Sequence, residues 1–290
     1  MLRTPRDVFQ AIEAGRTHTQ RFYKAAGLSG DARWIDWSFA SGQPAYDARI
    51  GDALTFTPCV AQKNDAIWFP DIPAGMQRQI LEMDIVTIPS STGQMNVEFQ
   101  MFDLIGYYPL IDGDSTDPQV LDNTLPLPRF SDGEGVFPIL VNHVAPAVSA
   151  ADAVVTYTNS KGAQQTVTWR CTLTGAGTAA YTVSGSGTAG PLYAALAAGD
   201  SGVSRIDEVV FTTAPGGLWA IYLAKPLCRF ANRGGKPSIA ATATMERNFL
   251  MQNGGNMPTV ADGAWLGFFY MTNGNARAAG LHGNLQFVWG

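Results

Sequence analysis

The chain has 290 residues, enough for one large all-β domain or two ordinary domains, and at 46% apolar residues it can bury a sizeable core. Only 15% of its residues are charged, against about 25% in an average soluble domain, so its surface is short of Lys and Glu and is suited to burial against other copies or partners. A net charge of -5 with no dense basic run argues against nucleic-acid binding, no apolar run is long enough to span a membrane, and the charged opening MLRTPRDVFQ does not read as a secretory signal.

Residues 1–30 are expected to form an N-terminal helical arm. In TPRDVFQAIEAG, Thr4 is placed to cap, Pro5 takes the first helical position and Asp7 sits in the first turn. Val8, Ile12 and, further on, Phe22 fall near one side and are the arm's expected contact residues. From residue 31 to 290 the pattern is that of a β-rich structural domain. RWIDWSFASG alternates through Trp34, Trp37 and Phe39, and AYDARIGDALTFTPCVAQ and NDAIWFPDIPAG are short β-like runs cut by Gly and Pro. QRQILEMDIVTIPSSTGQMNVEFQMFDLIGYYPLID reads as two strands around a Ser-Ser-Thr-Gly turn, with Val97, Phe99 and Met101 on an apolar face.

The connection 112–135, DGDSTDPQVLDNTLPLPRFSDGEG, is polar and heavily punctuated. It marks a candidate subdivision of the domain or a long functional loop. Asp112, Asp114 and Asp117 are candidate ligands for a hard cation, but the EF-hand glycine and closing glutamate are missing, and an acidic surface turn is the plainer reading. The clearest hairpin follows, with Val155 and Tyr157 on one arm, Val167, Trp169, Cys171 and Leu173 on the other, and Asn159-Ser160-Lys161-Gly162 turning between them.

Within 172–191 lies GSGTAG, a literal G-x-G-x-x-G followed by the helix-like PLYAALAAG. The same stretch is a ten-residue tandem repeat, TLTGAGTAAY then TVSGSGTAGP, which a dinucleotide fingerprint gives no reason for. Two small-residue β turns are therefore expected in place of a phosphate cradle. DEVVFTTAPGGLWAIYLAKPL and AWLGFFYMTNGNARAAGLHGNLQFVWG each read as two strands. Before the last pair, Met245, Phe249, Met251 and Met257 form a soft apolar cluster, expected in the core or at a subunit interface. The fold expected is all-β, a β-sandwich or jelly-roll-like core with a short N-terminal helical arm.

No catalytic or cofactor-binding constellation emerges. His18, His143 and His282 are isolated, no G-x-S-x-G occurs, and Cys59, Cys171 and Cys228 lie far apart; Cys59 and Cys228 sit in apolar surroundings. Asp36, Asp47, Glu98 and Asp103 could supply a glycosidase pair, but sequence does not place them relative to one another. The tryptophans sit mostly in alternating runs, where core or interface roles are expected.

The phrases WIDWSFASGQPAYDARIGDALTFTPCVAQKNDAIWFP, SSTGQMNVEFQMFDLIGYYPLIDGDSTD and NRGGKPSIAATATMERNFLMQNGGNMP resemble a class of tailed-bacteriophage virion structural proteins. VVTYTNSKGAQQTVTW and FTTAPGGLWAIYLAKPL are similar to phrases in phage head proteins. The resemblance implies a non-enzymatic component of a symmetric particle, made in the host cytoplasm and located on the virion, with the head exterior as first choice. A capsid decoration or cement protein is the leading expectation: a homo-oligomer, first a trimer, bridging subunits of the major capsid protein or other virion proteins, without cofactor, nucleic acid or membrane. The alternative is a tail or head-tail-junction protein with a receptor- or carbohydrate-binding role.

Overall fold

The computed structural model describes residues 2, 4–25, 34–45, 47–62, 66–89, 96–144, 150–172, 182–183, 192–233, 243–252, 256–272 and 278–290. The chain starts with helix α1 (Pro5–Glu13), then strands β1 (Thr17–Ala25) and β2 (Trp34–Asp36), a single 3-10 turn (Trp37–Phe39), β3 (Gly42–Gln43) and β4 (Thr57–Pro58). Two long strands follow, β5 (Arg78–Pro89) and β6 (Asn96–Asp112), then β7 (Gln119–Val120), β8 (Phe137–Asn142), β9 (Ala150–Asn159) and β10 (Gln164–Thr172). The last part holds β11 (Thr182–Val183), β12 (Val203–Phe211), β13 (Leu218–Arg233), β14 (Ala243–Asn248), helix α2 (Phe249–Gln252), β15 (Thr259–Val260), β16 (Trp265–Thr272) and β17 (Ala278–Trp289).

These strands form three sheets. The central one runs β13-β8-β11-β2-β16-β6, and a long antiparallel pairing of β13 with β6 closes that row into a ring; β4 pairs with β6 at Gly106 and Tyr107, beyond the stretch that β16 covers. A six-stranded sheet (β14-β5-β17-β1-β3, with β15 on β5) and a four-stranded sheet (β10-β9-β12-β7) complete the fold. The all-β expectation and its face-to-face packing are borne out: both outer sheets pack on outside faces of the closed one.

The side-chain period of two does this sorting. Along β13, Trp219, Ile221 and Leu223 join the apolar cluster under the four-stranded sheet, while Ala220, Tyr222 and Ala224 line the lumen of the ring. Along β16, Leu266, Phe268 and Tyr270 face the six-stranded sheet, and Trp265 and Phe269 face the lumen. β2 does the same with Ile35 outward and Trp34 inward.

The N-terminal arm is corrected. The helix forms as read, with Thr4 and Asp7 closing a capping box, but it stops at Gly15, whose positive φ of 70° ends the turn. Residues 17–25 are not helical: they pair along β17 in the middle of the six-stranded sheet. Val8 and Phe22 are buried in that sheet's own core, so they hold the segment on its own chain and are not available to a neighbour; Ile12 is exposed. The connection 112–135 is not a boundary either. β7 pairs with β12, and Leu121 and Leu127 are buried under the four-stranded sheet. PLYAALAAG forms no helix over its described residues 192–199. Of the glycine repeat, only Thr172 and Thr182–Val183 are described, the latter as β11; the Ser-Ser-Thr-Gly turn and Leu173 also lie outside the described residues.

Candidate functional site

The chemistry-bearing side chains converge in the lumen of the closed sheet. Asp36 ends β2, and the strand's alternation turns it inward beside Trp34. Its Oδ1 accepts the Ser38 amide at 2.9 Å, which caps the following 3-10 turn. Arg49 enters from the loop after β3 with a positive φ of 45°, its own amide held at 2.9 Å by Asp47 Oδ1. Its guanidinium donates to Asp36 Oδ2 and Ser38 Oγ, and its Nε lies 3.6 Å from Asp47 Oδ2. Both Arg49 and Asp36 have no exposed side-chain surface.

Aromatic rings complete the enclosure. Arg49 Cζ lies 4.6 Å from the ring centres of both Tyr222 and Trp265, the geometry of a cation–π contact on each. Tyr222 fits there because its lumen neighbours on β13 are Ala220 and Ala224. His143 Nε2 is 2.9 Å from Tyr222 Oη. Burial, then the charge of Arg49, pulls His143 down to about 4. Burial also pushes the Asp36 carboxyl up and works against the Arg49 guanidinium; the contact between the two opposes both effects, and Arg49 ends above its ordinary value.

A second buried cation grips the same segment from the other side. Lys24, on β1, donates to the carbonyls of Ser38, Ala40 and Ala45 at 3.2, 3.0 and 3.2 Å, and burial lowers it to about 8. Beside it is a crevice lined by Trp37, Pro44, Trp265 and Gly267, with room for about one water. A second ion pair sits beside the start of β16, at the backbone of Trp265: Arg129 grips Asp103 with two bonds of 3.0 and 2.6 Å, and donates to the carbonyls of Cys59 and Leu104. Burial pushes Asp103 upward against the pull of Arg129, and its Oδ1 also accepts the Trp265 amide.

Each carboxylate weighed for catalysis therefore has an arginine partner: Asp36 and Asp47 share Arg49, Asp103 has Arg129, and Glu98 has Arg229. A glycosidase pair needs one carboxyl free to donate a proton and one free to attack or activate water, and ion-paired groups are poorly suited to either. Asp112, Asp114 and Asp117 do not converge as cation ligands: Asp112 Oδ1 accepts the Asp114 amide, Ser115 Oγ accepts the Asp117 amide, and no group of three or more His, Cys, Asp or Glu side chains among the described residues could hold a metal. Cys59 and Cys171 are buried, and burial raises the Cys59 and Cys228 thiols to about 12. Trp34, Trp37, Trp169, Trp219 and Trp265 are buried, so they are core rings and not sugar platforms.

The methionine-rich cluster splits. Phe249 and Met257 are buried in the chain's own core, which removes them from the expected interface, while Met251 is 75% exposed. Met245 lies on β14 opposite Ile85, its side chain outside the described set. Sequence reasoning missed Lys24, Arg49, Arg129 and Tyr222. A basic residue between loop polar residues reads as surface, and nothing local announces that a distant carboxylate will meet it.

No helix among the described residues is long and apolar enough to cross a membrane. No family model and no curated protein matches the chain. Among solved structures, an infectious bursal virus-derived T=1 particle aligns over 94% of this chain and 77% of its own, at 8% identity and a TM-score of 0.20. The infectious bursal disease virus Gx strain aligns over 94% and 80%, at 11% identity and a TM-score of 0.18, and the VP2 subviral particle of that virus over the same shares, at 7% and 0.19. Scores this low carry no argument about fold or role.

Proposed function

We propose that this chain is a non-enzymatic structural protein of a tailed-bacteriophage virion, a decoration or cement protein whose copies self-associate and bridge subunits of the major capsid. The observation that carries the reading is where the molecule spends its polar chemistry. Among the described residues, the buried charges of Asp36, Arg49, Asp103, Arg129 and Lys24 are tied to one another or to backbone carbonyls, so these groups are engaged in holding the fold. The surface of this chain, only 15% charged, carries exposed Phe9, Ile50, Val120 and Met251. Burial of such surface between subunits is favourable by about 25 cal/mol per Å² before association costs.

Light scattering on the size-exclusion peak, followed by co-sedimentation with shells assembled from the major capsid protein alone, tests this. Saturable binding to shells supports the decoration reading. No binding at micromolar protein, or selective signal on a glycan array in its place, overturns it.

A further inference from the structure

We draw no further inference here: the strongest candidate, the surface patch of the six-stranded sheet where Asp84 on β5 lies opposite Glu246 on β14 with Glu82 alongside, is an acidic cluster whose Asp84 and Glu82 are bonded to Asn284 and Asn248 of the same sheet, and nothing in the structure shows what covers it.

Discussion

Replacing Arg49 with methionine separates the two jobs of the lumen cluster. The change keeps most of the apolar stem between Tyr222 and Trp265 but leaves Asp36, with no exposed surface, facing a thioether. Breaking one side of a buried pair costs about 3–5 kcal/mol, because the remaining charge stays desolvated and unanswered. With a urea dependence of about 3 kcal/mol per molar for a chain of this size, the midpoint should fall by about 1.3 M. Adding Asp36→Asn removes the orphan charge while keeping an acceptor for the Ser38 amide, so the double variant should recover to within about 1–2 kcal/mol of the parent. The single variant should also recover in acid. Burial raises the Asp36 carboxyl, so the native state holds its proton more tightly than the unfolded chain, and the deficit shrinks as pH falls from neutrality toward about 4. Urea titrations followed by tryptophan fluorescence and near-ultraviolet circular dichroism at pH 7 and pH 5 measure all three. A single-variant loss under about 1 kcal/mol, or a double variant as weak as the single, would refute the reasoning.

Two further outcomes follow from the same lumen. His143 is held at about 4 against an ordinary 6.5, so its contribution is complete above pH 6.5 and is lost as pH falls through 4, about 3 kcal/mol in all; His143→Gln should flatten the urea midpoint over that window. A methyl group at Gly267 would lie 2.8 Å from Trp265 Cζ3 and 2.9 Å from Phe102 Cζ, so Gly267→Ala should cost about 1–3 kcal/mol, and an unchanged melting temperature would mean the lumen is looser than its rings imply.

Local signals are legible in the sequence, and long-range ones are not. The Thr4 cap and the β9–β10 hairpin are local events. In the hairpin, Asn159 Oδ1 accepts the amides of Lys161 and Ala163 and Gly162 takes a φ of 78°, so four residues specify the turn. The strand pairs β5/β6, β12/β13 and β16/β17 are also visible as alternating runs, yet none is a hairpin: each step carries the chain from one sheet to another. Alternation says that a strand has two faces, not which sheet lies opposite. In β1, THTQRFYKA, inward positions fall to Phe22 and Lys24, and a buried lysine breaks the only alternation that would have marked the strand. The lumen cluster was illegible for the same reason. Asp36, Arg49, His143, Tyr222 and Trp265 come from five separate stretches, and only the closure of β13 on β6 brings them together.

That closure also explains why a costly ion pair sits there. Two members of the ring are very short: β2 has three residues and β11 has two, so few backbone bonds fix their register. A slip of β2 by one residue would turn Asp36 out toward the apolar face and Ile35 into the lumen. Arg49, held between Tyr222 and Trp265, would then be a buried cation without its carboxylate, at a cost of several kcal/mol. An apolar residue at position 36 would pack nearly as well in either register; the ion pair discriminates between them. Register is thus set by a side-chain contact where the backbone ladder is too short to set it. The Arg49→Met, Asp36→Asn double variant should accordingly keep most of its stability yet lose near-ultraviolet intensity from Trp265, which flanks Arg49, and from Trp34, which shares β2 with Asp36. Full intensity in that variant would assign the register to packing alone.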